Sequence, residues 1–234
     1  MARVASAVFA LIIAFPCASA NAGDLFTGFQ MDHEEQYFAY LGVKETLPWE
    51  PLGITTYAQL FVAGQNYQYD SGNRDIDADV QTLTPSLGVT RLLDGGPWNI
   101  SALAGPQLKW KKEDGFRNDS GRDFDVGAFV QLETMYWQET HNLQAMVSYA
   151  SLDDFFFGRV RGKFRVHAPE TRCCTVFVGL DVAGMGNDDF SAVLTGPLVE
   201  VLIGRFSLLA RGGYQHDSGF GSGGYGGFEI YTPF

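Results

Sequence analysis

The chain has few basic residues, few cysteines and few histidines. Its 16 lysines and arginines face 27 acidic residues, which leaves a net charge of −11. Nucleic acid needs a basic binding face, so this balance argues against a nucleic-acid partner. Cys173 and Cys174 are adjacent, and neighbouring cysteines bridge each other only with strain. We therefore expect no disulfide framework, no metal and no cofactor; metal binding by this pair with His167 is the alternative.

Long hydrophobic runs are also missing. After residue 22 no apolar stretch is long enough for a membrane helix. The short apolar run 8–15 (VFALIIAF) follows Arg3 and precedes small residues at 18–22, a pattern typical of a secretory signal peptide. We predict that residues 1–22 are a cleaved signal peptide and that 23–234 form one domain. Arg3 is the only charge in that leader, so cleavage makes the chain more negative by one charge.

The chain is instead rich in aromatic residues (14%) and in glycine (28 residues). Both are typical of strands joined by tight turns. Apolar and polar residues alternate in about twelve segments, mostly longer than the 5–6 residues usual for soluble strands and nearer the 9–11 that a membrane strand needs. The segments are 24–30, 35–46, 53–68, 78–91, 97–111, 123–138, 141–151, 155–166, 174–183, 190–203, 205–216 and 223–234.

This pattern predicts a transmembrane antiparallel β-barrel of about 12 strands in the outer membrane. The last hairpin, 205–234, alternates clearly and ends on Phe234, as the closing strand of such a barrel does. The longest polar connections, 69–77 and 112–122, fall on one side and predict outer loops. Aromatic residues near segment ends predict an interfacial girdle: Trp98, Trp110, Tyr136 and Trp137. The edge hairpin of a soluble periplasmic sandwich is the alternative.

Four cations share one parity in segment 155–166: Arg159, Arg161, Lys163 and Arg165. Each would destabilise the barrel by about 2–4 kcal/mol if it faced lipid near the midplane, so we expect all four to face the lumen. One interpretation is structural, in which they pair with the lumen acids Glu133, Asp181, Glu200 and Glu229. The other is a cationic ladder that contacts a sugar or an anionic polymer, because arginine offers several donors in a planar fork. Lys109 and Glu133 are further candidates for such contacts.

Catalytic constellations are sparse, and we predict that the chain is not an enzyme. The alternative is a set of His216, Ser218 and Glu229, which resembles the catalytic set of the outer-membrane lipid A 3-O-deacylases. In that chemistry histidine is the general base, serine the nucleophile and the acid orients the histidine. Gly219 stands where that family usually has asparagine, and about twelve strands exceed its eight.

Asp75, Asp77 and Asp79 alternate as the carboxylates of a calcium-binding loop do. The stretch lacks the central glycine and the closing glutamate of such a loop, which favours an acidic outer loop.

Short glycine- and aromatic-rich motifs recur in a recognisable order. They are 37–42 (YFAYLG), 64–70 (GQNYQYD), 86–89 (SLGV), 103–107 (LAGPQ), 131–133 (QLE), 213–218 (GYQHDS) and 223–226 (GGYG). In this order they resemble the cellulose biosynthesis protein BcsS family of alphaproteobacteria over nearly all of the mature chain. The resemblance implies an outer-membrane barrel linked to cellulose secretion, and it implies no catalytic residues.

From these observations we expect a non-enzymatic outer-membrane barrel that assists biosynthesis, export or surface retention of cellulose or a related exopolysaccharide. The expected partners are outer-membrane lipid and lipopolysaccharide, together with the polysaccharide and components of its secretion system. The alternatives are a barrel enzyme that modifies lipid A and a structural barrel that binds lipopolysaccharide or a partner protein.

Overall fold

The computed structural model describes residues 23–70, 75–93, 96–114, 122–167, 174–219 and 221–234. The predicted leader and Cys173 lie outside these ranges. Twelve antiparallel strands form one closed barrel in which each strand pairs with its neighbours in sequence. They are β1 (Gly23–Asp32), β2 (Tyr37–Thr46), β3 (Thr55–Asp70), β4 (Asp75–Leu92), β5 (Trp98–Asp114), β6 (Arg122–Trp137), β7 (His141–Ala150), β8 (Phe155–His167), β9 (Thr175–Gly186), β10 (Ser191–Ile203), β11 (Phe206–Asp217) and β12 (Gly221–Pro233).

The barrel closes between its first and last strands. β1 pairs with β12 from Asp24 opposite Pro233 to Asp32 opposite Tyr225. The amide of Phe234 donates to the carbonyl of Gly23 at 2.8 Å, and the amide of Gly23 donates back to the carbonyl of Phe234 at 3.2 Å. Closure pairs the polar edges that β1 and β12 would otherwise expose. The prediction that the last hairpin closes a barrel of about twelve strands is confirmed.

The apolar parity of the strands faces outward. In β10, residues from Ser191 to Glu200 alternate strictly between exposed and buried. Large apolar side chains on the outer surface are widely exposed, with Leu180 at 63%, Val126 at 58% and Phe206 at 58%. An exposed apolar belt of this extent fits a lipid-facing surface, whereas a soluble sandwich would bury the same parity. The sandwich alternative is therefore wrong.

Four consecutive strands, β3 to β6, are longer than the membrane requires. They have 16, 18, 17 and 16 residues, against the roughly 9–11 that a tilted membrane strand needs. The extra length lies on the side of the predicted outer loops, so the predictions of loops over 69–77 and 112–122 are too wide. Asp75, Asp77 and Asp79 belong to β4 instead of an acidic loop. The strands extend because β3–β4 and β4–β5 pairing continues to Asp70 opposite Asp75 and to Asp77 opposite Asp114.

The opposite end carries Gly23, Phe234 and tight turns such as Gly204–Arg205, where Gly204 has φ +60°. Short turns are typical of the periplasmic end of such barrels, and we call this end the inner mouth. Helical structure in the described residues is limited to two 3₁₀ turns, Pro51–Gly53 and Leu152–Asp154. No helix among those residues is long and apolar enough to cross a membrane.

Three of the four residues predicted to form the girdle lie on the outward-facing side of their strands. Trp98 packs against Tyr136 with ring centroids 4.9 Å apart, and Trp110 packs against Phe124 at 5.4 Å. Trp137 instead has the parity of Glu133, which faces the lumen. Its indole contacts the buried Phe177 inside the inner mouth, with ring centroids 6.1 Å apart. The girdle prediction is wrong for Trp137 because adjacent residues on a strand point to opposite faces.

Candidate functional site

The predicted cationic ladder occupies the lumen face of β8. Val160 and Phe164, on the opposite parity, are exposed on the outer surface. The side chains of Arg159, Arg161 and Lys163 are 12%, 9% and 11% exposed. Arg165 is the exception, since it is exposed near the inner end of the strand. The structure therefore brings three of the four predicted cations together inside the barrel.

These arginines reach across the lumen to β12. Arg161 donates through Nη1 and Nη2 to the two carboxylate oxygens of Glu229, at 2.7 Å and 2.5 Å. Arg159 Nη1 donates to the same carboxylate at 3.5 Å. Bidentate pairs between arginine and carboxylate are among the stronger hydrogen-bonded ion pairs in proteins. Because β8 and β12 are not neighbours in the sheet, these bonds bridge the lumen instead of joining adjacent strands.

A second carboxylate, Asp181 on β9, completes the arrangement. Arg211 Nη1 on β11 donates to Asp181 Oδ2 at 2.8 Å and lies 3.4 Å from Glu229 Oε1. Arg159 and Arg161 approach the other oxygen of Asp181 at 3.3 Å and 3.4 Å. We call the group of Arg159, Arg161, Asp181, Arg211 and Glu229 the central ion cluster. It places three guanidinium groups around two carboxylates.

Arg211 is the one cation of the central ion cluster that the sequence analysis did not identify as a candidate. Its side chain is 2% exposed, and its Nη2 donates to Gln30 Oε1 on β1 at 3.0 Å. It lies alone among small and apolar neighbours on β11, so no run of like residues marks it. The one available signal is its polar parity, shared with Ser207 and Gln215, both of which are also buried.

A separate ion pair lies nearer the inner mouth. Lys163 Nζ donates to Glu200 Oε2 on β10, and Ser207 Oγ donates to Glu200 Oε1 at 2.5 Å. Asp181, Glu200 and Glu229 thus pair with lumen cations. Glu133 lies apart from them and accepts a hydrogen bond from Gln144 Nε2 at 2.6 Å.

Lys109 pairs with the outer turn between β7 and β8. It is 6% exposed, and its Nζ donates to Asp153 Oδ2. A Cβ built on Gly127 would lie 2.5 Å from the Leu152 side chain in the same turn, so the turn packs closely against β6 at this glycine. Asp153 has φ +63°, in the left-handed region that costs a non-glycine residue free energy. The contact of Lys109 in this structure is therefore with its own chain.

An aromatic wall formed by Phe26, Phe38, Tyr40 and Phe61 on β1 to β3 lies next to the central ion cluster. The rings of Tyr40 and Phe61 are 5.6 Å apart, and those of Phe26 and Phe61 are 6.3 Å apart. A Cβ on Gly28 would lie 2.6 Å from Tyr40, so that ring occupies the space beside Gly28. Gly28 is also the β1 residue opposite Glu229. The ring of Tyr40 therefore lies beside the ion cluster.

The outer half of the lumen holds a small apolar cluster. Ala183, Ala192, Leu194 and Tyr225 are buried there, and Phe157, Met185 and Phe190 pack against them. The central ion cluster, the aromatic wall and this apolar cluster all place side chains in the lumen. Small barrels commonly fill with side chains in this way.

The three residues of the catalytic alternative do not converge. His216 is exposed on the outer surface, and its Nδ1 lies 2.9 Å from Ser222 Oγ. Ser218 Oγ accepts a hydrogen bond from the amide of Ser191 at 3.0 Å. Glu229 faces the lumen and lies opposite Leu209, seven residues along β11 from His216, which is about 23 Å at the usual strand rise. The geometry needed for an oriented histidine is absent among these three residues.

Asp79, in the acidic stretch of β4, has an ordinary hydrogen-bonding partner. Asn66 Nδ2 on β3 donates to Asp79 Oδ1 at 3.0 Å. Within the described residues no group of three histidine, cysteine, aspartate or glutamate side chains is placed to hold a metal ion.

The model of one protein family, described as cellulose biosynthesis protein BcsS, matches residues 22–234. No curated protein sequence matches the chain. Among solved structures, the β domain of the Bordetella autotransporter BrkA has a TM-score of 0.57 at 16% identity, covering 92% of this chain and 99% of that one. The translocator domain of the autotransporter NalP from Neisseria meningitidis has a TM-score of 0.53 at 12% identity, covering 92% and 87%. The transport unit of the autotransporter AIDA-I from Escherichia coli has a TM-score of 0.52 at 10% identity, covering 95% and 94%. These likenesses show the fold.

Proposed function

Because the chain belongs to the cellulose biosynthesis protein BcsS family and folds as an outer-membrane barrel, we propose that it assists export or surface retention of cellulose without being an enzyme. A related exopolysaccharide is a second possible polymer within the same role. The partners implied are the polysaccharide, components of its secretion system, and the outer-membrane lipid and lipopolysaccharide around the barrel.

The main observation that supports a mode of action is the ion-pair bridge from Arg159 and Arg161 to Glu229. A glucan chain needs a lumen wider than a sugar ring, and this bridge crosses the lumen at its centre. The bridge supports a barrel that holds or guides the polymer at its ends over one that conducts the chain through its middle.

Deletion of the gene tests the role in cells. We expect less cellulose-binding dye on the cell surface, while the cellulose synthase activity of isolated inner membranes stays unchanged, because the barrel acts after synthesis. Complementation with the wild-type gene is the control. Unchanged surface polymer in the deletion strain contradicts the proposed role.

The place where cellulose accumulates in the deletion strain distinguishes a role in export from a role in surface retention. If the barrel assists export, cellulose in the deletion strain accumulates in the periplasm. If it retains polymer at the surface, cellulose is released into the medium. Quantifying glucose from acid-hydrolysed cellulose in each fraction distinguishes these outcomes.

A further inference from the structure

Asn142 on β7 carries a side-chain amide that is buried inside the inner mouth. It is 4% exposed, and within the described part of the chain neither Nδ2 nor Oδ1 has a hydrogen-bond partner. Native proteins pair the large majority of buried polar side-chain atoms, so an amide unpaired at both ends requires an explanation. The arrangement that buries this amide is less stable than one in which a ligand pairs it.

The side chain of Trp137 covers this amide. Trp137 on β6 lies directly opposite Asn142. Its ring centroid lies 5.5 Å from Lys163 Nζ on β8, and the ring packs against Phe177 on β9. To reach from β6 to β8 and β9, the indole must run across β7 at the position of Asn142. The residue is still 43% exposed, so part of its surface is open to the inner mouth.

Polar groups surround the covered amide. Lys163 lies opposite Asn142 on the other side of β7 and donates to Glu200. Because that cation and carboxylate neutralise each other, the site has donors and acceptors but no strong preference for a charged ligand. A flat aromatic surface beside neutral amide and paired polar groups fits a hexose, which offers an apolar face of C–H groups and a rim of hydroxyls.

We propose that Trp137, Asn142, Lys163, Phe177 and Glu200 form a sugar-binding subsite, the inner-mouth subsite, for one glucose unit of a neutral β-glucan chain arriving from the periplasm. Binding moves the indole off Asn142, the amide pairs with sugar hydroxyls, and the ring stacks on the sugar. The identity of the polymer rests on the proposed function, whereas the choice of a neutral sugar rests on these residues.

Titration of the full mature barrel in detergent with cellohexaose tests the subsite. We expect saturable binding by calorimetry and a change in tryptophan fluorescence, because the indole moves. Asn142→Ala should weaken binding about fivefold, as expected for a lost hydrogen-bonding amide. Trp137→Ala should weaken it about tenfold through lost stacking. Trp98→Ala, at the same end but on the lipid face, is the matched control and should bind like the wild type.

Trp137→Phe keeps an aromatic ring and is the conservative variant in case Trp137→Ala misfolds. A heat-dependent gel shift monitors the folding of every variant. It should retain part of the affinity and lose the fluorescence change. The subsite is overturned if the wild-type barrel shows no saturable cellohexaose binding, or if Asn142→Ala and Trp137→Ala bind as tightly as the wild type. Equal affinity for maltohexaose overturns the β-glucan assignment.

The amount of surface cellulose in the deletion strain tests the proposed function independently of the cellohexaose titration. Cellohexaose binding that depends on Trp137, combined with unchanged surface cellulose in the deletion strain, supports the subsite and contradicts the proposed function. Altered surface cellulose without cellohexaose binding contradicts the subsite alone.

Discussion

Replacing Glu229 with glutamine removes one of the two carboxylates of the central ion cluster. Glutamine keeps nearly the same shape, so the change isolates the charge. In the wild type Glu229 accepts two hydrogen bonds from Arg161 and lies 3.5 Å and 3.4 Å from the guanidinium groups of Arg159 and Arg211. In the variant three cations surround Asp181 alone.

The size of the effect follows from burial. The side chain of Glu229 is 15% exposed, and that of Arg211 is 2% exposed, so water screens these charges little. Removing one partner from a buried ion pair typically destabilises a protein by about 3–5 kcal/mol, because the other charge stays buried without compensation. We expect Glu229→Gln to lower the free energy of unfolding by about 3 kcal/mol.

The measurement is equilibrium unfolding in urea of the barrel reconstituted in lipid vesicles, followed by tryptophan fluorescence and the gel shift. Glu139→Gln, in the exposed turn between β6 and β7, is the matched control and should leave the midpoint unchanged. Adding Arg161→Gln to Glu229→Gln removes one surplus cation, so the double variant should be destabilised less than the sum of the single effects. A wild-type midpoint for Glu229→Gln would refute the argument, as would strict additivity in the double variant.

The remaining predictions concern the lumen, the lipid face, a glycine contact and the catalytic alternative. In planar bilayers the wild-type barrel should pass no steady current, because ion pairs bridge its lumen; a stable open level would contradict this. Leu180→Arg places a cation on the lipid face and should destabilise the barrel by about 2–4 kcal/mol in vesicle unfolding, if it lies near the midplane. Gly42→Ala should lower the free energy of unfolding by about 1–3 kcal/mol, because the added Cβ would lie 2.1 Å from the ring of Phe26. Gly158→Ala, where the nearest atom to the added Cβ is 3.9 Å away, should leave that free energy unchanged in the same assay. Ser218→Ala should leave the acyl chains of lipid A unchanged by mass spectrometry, and loss of a serine-dependent deacylation would contradict this.

The strands, and the side of the sheet on which each residue lies, were predictable because the alternation of apolar and polar residues is a local property of the sequence. Leu180 and Val182 differ from Asp181 by one position, and a period of two assigns them to opposite faces without any knowledge of their neighbours. The same rule placed Arg159, Arg161 and Lys163 in the lumen. It was less reliable at strand ends, where pairing with a neighbour decides how far a strand continues, as in the long hairpin of β3 and β4.

The partners of each lumen residue were not predictable in the same way. Glu133 and Glu229 look alike in sequence, since both are acids at lumen-facing positions of apolar strands. Only the closed barrel shows that Glu229 faces the arginines of β8 from across the lumen while Glu133 pairs with Gln144 on the adjacent strand.

The sequence alone therefore determined that the chain forms a lipid-facing barrel with a charged interior, because those features depend on the spacing of residues along single strands. The tertiary structure decided that Arg211 joins the central ion cluster, that Trp137 turns inward over the buried Asn142, and that His216 lies far from Glu229. These facts depend on how twelve strands are staggered around a closed sheet, and that stagger brings together residues from strands far apart in the sequence.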